Sequence, residues 1–177
     1  MNIYENAKLD HSIKLDFDKS WYLLGKVGTG KTHNAYAYYL ETNKKTKEIK
    51  LENEAKFIFK NYDWIVFYNF ATLCDELRNT QFESFNGIEK SRTEKEEAII
   101  KTKYLILDDL GSEKRSDYSD DFLIRLVEFR YSNDLYTGFT SNISIGKLPY
   151  DARIVSRIAG IVSDNKFCIT GKDRRIK

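Results

Sequence analysis

Eight consecutive residues, Gly25-Lys26-Val27-Gly28-Thr29-Gly30-Lys31-Thr32, satisfy G-x-x-x-x-G-K-[ST] at every defined position. The chemistry such a segment can do is to cradle a phosphate chain. Its glycines let the backbone curl until successive N–H groups point inward at phosphate oxygens. A helix opening at Lys31 adds its positive dipole end. The Lys31 ammonium reaches the β- and γ-phosphates, and the Thr32 hydroxyl is a ligand for magnesium. Lys26, Val27 and Thr29 fill the variable positions and contribute through their backbone. His33 follows directly; it closes the expected nucleotide-binding segment and reads as helix surface rather than as a catalytic group.

The second chemical feature is Tyr104-Leu105-Ile106-Leu107-Asp108-Asp109, an apolar run ending in two carboxylates. A carboxylate at the C-terminal edge of a parallel strand faces the crevice in which open α/β sheets bind ligands. Asp108 is placed to hold the magnesium shell, and Asp109 to polarise an attacking water. Asp is one methylene shorter than Glu, so the water must sit differently, which predicts slow hydrolysis. Further on, Thr140-Ser141-Asn142 ends a β-rich run; an amide there sits between the two loops, able to orient water or touch a γ-phosphate.

The elements that must position these groups alternate along the chain. Trp21–Leu24 reads as a strand, Lys31–Thr42 as a helix, and the charged segment 43–61 as more helix or a mobile surface stretch. Trp64–Tyr68 reads as a strand and Phe70–Arg78 as a helix, with Leu73 and Leu77 at i, i+4. Residues 79–92 lack a period and read as a loop. Thr93 and Glu96 form a capping-box pattern that predicts a helix to Lys101. Tyr104–Leu107 is a strand, Asp117–Ser132 a helix, Leu135–Thr140 a strand and Tyr150–Ala159 a helix. Ile161-Val162 with Lys166–Thr170 predicts a closing hairpin. Strands alternating with helices imply an α/β fold with a sheet covered on both faces.

Composition narrows the class. The chain has 177 residues, 41% hydrophobic and 32% charged, with one proline and two cysteines. That suits one soluble globular domain over residues 1–177. No apolar run approaches the roughly 18–20 residues of a membrane span. The N-terminus shows no secretory h-region, and Cys74 and Cys168 form no disulfide framework or zinc pattern; a cytoplasmic location is expected. Residues 144–177 hold eight basic and three acidic residues, +5 in a chain of net charge +2. This basic end is compatible with phosphate contact or with a plain solvated face.

In order, GKVGTGKTH, LILDDLG, FTSN, RIVSRI and GKDRR resemble the AAA+ ATPases, and within them the DnaC/DnaI-type helicase loaders and the related IstB-type transposition helper ATPases. The resemblance covers about residues 20–177. It implies Walker A at Gly25–Thr32, Walker B at Asp108 and Asp109, sensor 1 at Asn142, and an arginine finger at Arg157, with Arg153 as substitute. Arg174 and Arg175 would stand near the sensor 2 role or serve DNA. It implies a parallel five-stranded sheet in the order 5-1-4-3-2; in departure from the usual AAA+ pattern, a minimal or absent lid is expected. It implies ATP or ADP with Mg2+ as cofactors, and a homo-oligomer in which Arg157 acts in trans. Single-stranded DNA and a replicative helicase are the implied partners. The loaders' N-terminal helicase-gripping region is not expected, with residues 1–20 only a short segment before the core. The expected function is therefore a helicase-loader-like ATPase of DNA replication. A nucleotide-switched regulatory module with negligible turnover and a transposition helper ATPase are the alternatives.

Other signals have plainer readings. Tyr36, Tyr38 and Tyr39 fall on the helix after Thr32 and are expected to pack against the sheet. Asp117, Asp120 and Asp121 open a helix and complement its dipole. His11 is isolated.

Overall fold

The computed structural model describes residues 4, 6–52, 65–80, 82–85 and 88–173. Five strands, β1 (Trp21–Gly25), β2 (Ile65–Asn69), β5 (Tyr104–Asp108), β6 (Tyr136–Ser141) and β7 (Lys166–Ile169), form one all-parallel sheet in the order β2-β5-β6-β1-β7. Numbered within the sheet, this is the expected 5-1-4-3-2. Among the described residues five α-helices accompany it: α1 (Lys31–Glu52), α2 (Phe70–Asn79), α3 (Arg92–Lys101), α4 (Asp117–Ser132) and α5 (Ala152–Val162).

Alternation along the buried strands divides the core in two. Trp21, Leu23 and Ile106 face α1 through Ala35 and Tyr38. Tyr22, Leu105, Leu107 and Phe139 face the other way, onto Phe70 and Leu73 of α2, Phe122 and Leu126 of α4, and Ile154 and Ile158 of α5. Tyr38 stacks on Phe17 and Tyr136, while Tyr36 and Tyr39 meet Phe67. Gly138 is needed for close approach: a Cβ there would lie 2.4 Å from the fully buried Trp21 indole.

The register positions the chemistry. Leu24 pairs with Ser141, and Asn69 with Asp108. The strands therefore end together at one edge, and β6 lies between β5 and β1. The loops after β1, β5 and β6 converge there.

Several expectations are corrected. Within 79–92, the described backbone forms an antiparallel hairpin of β3 (Phe82–Phe85) and β4 (Ile88–Ser91). The capping box of α3 is Ser91 with Glu94, not Thr93 with Glu96: the Ser91 N–H donates to Glu94 Oε2 at 2.7 Å, and the Glu94 N–H to Ser91 Oγ at 3.3 Å. Ser91 ends a strand, so it already has the extended dihedrals that an N-cap needs. Glu96 is buried instead, accepting from Tyr118 Oη at 2.7 Å and from Arg125 Nη2 at 2.6 Å. No closing hairpin forms at Ile161-Val162. These residues finish α5, where Val162 extends the buried stripe of Ile154 and Ile158. Lys166–Ile169 pairs in parallel with β1 as the edge strand. Helix α1 runs past Thr42, α2 ends at Asn79, and α5 begins at Ala152. Strand β2 is described from Ile65; Trp64 and the part of the charged segment at 53–61 lie outside the described residues.

Among the described residues no helical lid follows β7, and no helix is long and apolar enough to cross a membrane. Asp117 and Asp120 stand in the first turn of α4, as the dipole favours, and Asp120 pairs with Arg115.

Candidate nucleotide site

Between β1 and α1, Gly28 (φ 76°) and Gly30 (φ 100°) hold the left-handed backbone that only glycine adopts cheaply. Gly28 has a second reason to be glycine. A Cβ there would fall 1.8 Å from Asp173 Oδ1, so the segment after β7 lies directly against the loop. Thr29 Oγ1 donates to the Lys26 carbonyl at 2.8 Å, closing the loop on itself. Val27, at the crest, is 57% exposed.

Lys31 is buried at the start of α1, and its Nζ donates to the Lys26 carbonyl at 3.0 Å and to Asn142 Oδ1 at 2.6 Å. The other end of the Asn142 amide donates to Asp109 Oδ1 at 2.9 Å. One side chain just past β6 thus bridges the cation of the first loop and the carboxylate of the second. Thr32 Oγ1 donates to Asp108 Oδ2 at 3.1 Å. Asp108 is almost fully buried, and burial pushes its carboxyl above the usual range. Hydrogen bonds from Thr140 and Thr32 pull it back, the neighbouring Asp109 adds to the rise and Lys31 opposes it. Asp109 is held at φ 58°, a left-handed position unusual for a side-chain-bearing residue.

The fold therefore gathers Lys31, Thr32, Asp108, Asp109 and Asn142 into one hydrogen-bonded cluster. An oxygen pair from Thr32 and Asp108 is the donor set that a hard divalent cation such as Mg2+ takes, with phosphates and water completing its shell. His33 stands just outside. Its Nε2 lies 3.1 Å from the Lys8 carbonyl and its ring meets Tyr4, so the side chain faces the N-terminal segment. Arg157 also stands apart, on α5, its guanidinium 5.1 Å over the Tyr131 ring of α4. Arg153 is the one that pairs with an acid, donating to Glu128 Oε1 at 2.8 Å through Nη2. Arg174, Arg175 and Lys177 lie outside the described residues.

Two polar residues of the site were assigned no role from the sequence. Asn34, fully buried, donates to the Gly30 carbonyl at 2.8 Å and accepts from the Asp10 N–H at 2.8 Å, tying the phosphate loop to the segment before β1. Thr140, also fully buried, donates to Asp108 Oδ1 at 2.7 Å. A cleft of about 520 Å³ opens beside the loop, bordered by Lys26, Thr29, Asn142, Lys147 and Thr170. A larger, mainly apolar cavity of about 780 Å³ runs under α5 past Tyr22, Tyr150 and Phe167. It touches neither carboxylate, so it is the side-chain chemistry rather than the volume that locates the site.

A glycine-rich loop after the first strand, two acids at the end of the third and a polar amide after the fourth, on a parallel sheet of this order, are the arrangement of the P-loop fold of AAA+ type. Within it the chain is similar to DnaI, with 29% identity and a TM-score of 0.61 over 89% of this chain and 73% of that one. It is similar to the DnaC helicase loader, at 21% identity and a TM-score of 0.62 over 96% of this chain and 100% of that one. The AMPPCP-bound DnaA from Aquifex aeolicus matches at 20% identity and a TM-score of 0.60, over 86% of this chain and 40% of that one. No family model matches the sequence, and no curated protein matches it. These likenesses show that the chain shares its fold with DnaI, the DnaC helicase loader and DnaA.

Proposed function

We propose that this protein binds ATP or ADP through Gly25–His33, hydrolyses ATP slowly with Mg2+, and acts in DNA replication as a helicase-loader-like ATPase. In this reading residues 1–177 are one AAA+ domain that assembles with nucleotide and engages single-stranded DNA or a replicative helicase. The observation that carries the reading is the hydrogen-bonded cluster in which Asn142 links Lys31 to Asp109 while Thr32 meets Asp108. In this reading each group acts on a terminal phosphate seated on the glycine loop. Support for the partners is the likeness to the DnaC helicase loader and to a DnaA initiator bound to AMPPCP and single-stranded DNA.

The loop N–H groups and the α1 dipole bind the phosphates. Lys31 exchanges Asn142 and the Lys26 carbonyl for β- and γ-phosphate oxygens. Thr32 and Asp108 would hold Mg2+, which supplies neutralisation of charge on those oxygens. Asp109 accepts a hydrogen bond from the attacking water, and Asn142, released by Lys31, orients that water or the γ-phosphate. Arg157 of a neighbouring subunit presents its planar fork to the γ-phosphate, so turnover depends on assembly. Binding of a fluorescent ATP analogue tests the first step: Lys31→Ala is expected to weaken it by orders of magnitude. Affinity kept within about threefold, under about 0.7 kcal/mol, refutes the assignment.

A second reading, a nucleotide-switched regulatory module with negligible turnover, is favoured by Asp109. Its carboxylate is short, and Asn142 already holds it. Single-turnover hydrolysis with and without single-stranded DNA separates the two.

A further inference from the structure

Thr140 and Ser141 at the end of β6, and Asn142 just past it, each bond to the loop after β5. Asn142 holds the Asp109 carboxylate, and Ser141 Oγ donates to the Leu110 carbonyl at 2.6 Å. Thr140 does more. Its hydroxyl proton goes to Asp108 Oδ1 at 2.7 Å, and its oxygen accepts the Asp109 N–H at 2.9 Å. Its own carbonyl accepts the Leu110 N–H at 2.8 Å.

We propose that Thr140 is a positioning residue of the nucleotide site, fixing both acids through one hydroxyl. The argument begins with how little freedom that group has. A hydroxyl offers one proton and two lone pairs, and here the proton is committed to Asp108. Thr140 is fully buried, so no bulk water replaces the bond. Its β-branch restricts χ1 and holds the hydroxyl on its partners. With Oδ1 engaged, the carboxylate is rotated so that Oδ2 faces Thr32 at 3.1 Å, the oxygen pair assigned to Mg2+. The second bond acts on the backbone. Asp109 sits at φ 58°, and the Thr140 oxygen accepts its N–H in that conformation. The turn then delivers the Asp109 carboxylate to Asn142. Thr140 touches no phosphate; it acts through Asp108 and Asp109, as partners behind metal ligands do elsewhere.

This inference rests on the proposed nucleotide reading, and the experiment separates the two. ATP-analogue binding is measured without Mg2+, and ATPase rate is measured against Mg2+ concentration, for wild type, Thr140→Val and Thr140→Ser. Valine keeps the shape and loses both bonds; serine keeps the hydroxyl. Thr140→Val is expected to bind within threefold of wild type without Mg2+, but to need roughly 10–100-fold more Mg2+ or to lose that factor in turnover. Thr140→Ser is expected within threefold of wild type in both assays. Added to Asp108→Asn, the valine change is expected to do little more to Mg2+ dependence. If the valine protein does not fold, Thr140→Cys, with its weak donor, takes its place with at least a tenfold effect expected. Wild-type Mg2+ dependence and turnover in the valine or cysteine protein overturns the inference alone, as does a serine variant as impaired as valine. A wild-type protein that binds no ATP analogue overturns the nucleotide reading, and this inference falls with it.

Discussion

Arg130, on α4, has no exposed surface and no acidic partner among its hydrogen bonds. Its Nη1 donates to the carbonyls of Ile100 at 3.1 Å and Thr102 at 2.7 Å, at the C-terminal end of α3. Its Nη2 donates to the Tyr136 carbonyl, and Nε to Thr137 Oγ1 at 2.8 Å, at the start of β6. One planar fork therefore joins three elements. Burial lowers its pKa to about 9, so it remains charged at neutral pH. Arg130→Met keeps the length and removes every donor. Three carbonyls then lose a buried partner, at about 1–3 kcal/mol each. Relief of the desolvated guanidinium offsets part of this, leaving a loss of about 3–5 kcal/mol, the lower part of the sum over three orphaned carbonyls. For a chain of this size that lowers Tm by roughly 6–20 °C. Arg130→Lys keeps the charge but not the fork, and is expected between the two. Thermal and urea unfolding followed by circular dichroism measures both variants. A methionine variant within about 1 kcal/mol of wild type refutes the claim that these bonds hold α3 and β6 together, since that is the least a single orphaned carbonyl should cost.

Two further predictions concern the site. Because burial raises the folded-state pKa of Asp108, the fold takes up a proton there at pH values where the unfolded chain has released it. The ionised carboxylate is therefore a stability penalty, full above the folded pKa and lost as pH falls toward the unfolded value near 3.8. Asp108→Asn, without nucleotide or metal, is expected to unfold at higher urea than wild type at pH 7–8, with the gap closing toward pH 4; a less stable Asn variant at pH 7 contradicts this. For assembly, Arg157→Ala mixed with Lys31→Ala is expected to regain ATPase activity at interfaces that pair an intact pocket with an intact arginine. Wild-type turnover by Arg157→Ala alone across protein concentrations rules out the trans role.

The parts legible before folding were those whose physics is local. The glycines, Lys31 and Thr32 stand at a spacing that suits a phosphate cradle, and β5 is an apolar run whose end coincides with its acids. The hairpin of β3 and β4 was not legible: four-residue strands give too little alternation to distinguish from a loop. Ser91 and Glu94 lost to Thr93 and Glu96 because both pairs fit the same i, i+3 pattern, and only the strand entering at Ser91 selects between them. Ile161-Val162, β-branched and apolar, read as strand. They belong to a helical stripe whose burial outweighs propensity.

By itself the sequence determined which residue types stand at which spacing, the element that carries each group and, through family resemblance, the order of the strands, because spacing and side-chain type are properties of short stretches of chain. Tertiary structure decided what each group touches. Lys166–Ile169 finds its partner in Trp21–Gly25, at the opposite end of the chain. Arg130, a polar residue on an amphipathic helix, becomes the buried clasp of α3 and β6. Asn34 and Thr140, unremarkable as letters, become the supports of the phosphate loop and the two acids. Such contacts arise only when the sheet brings distant segments within hydrogen-bond distance and excludes water, and no local pattern encodes which buried polar group will meet which partner.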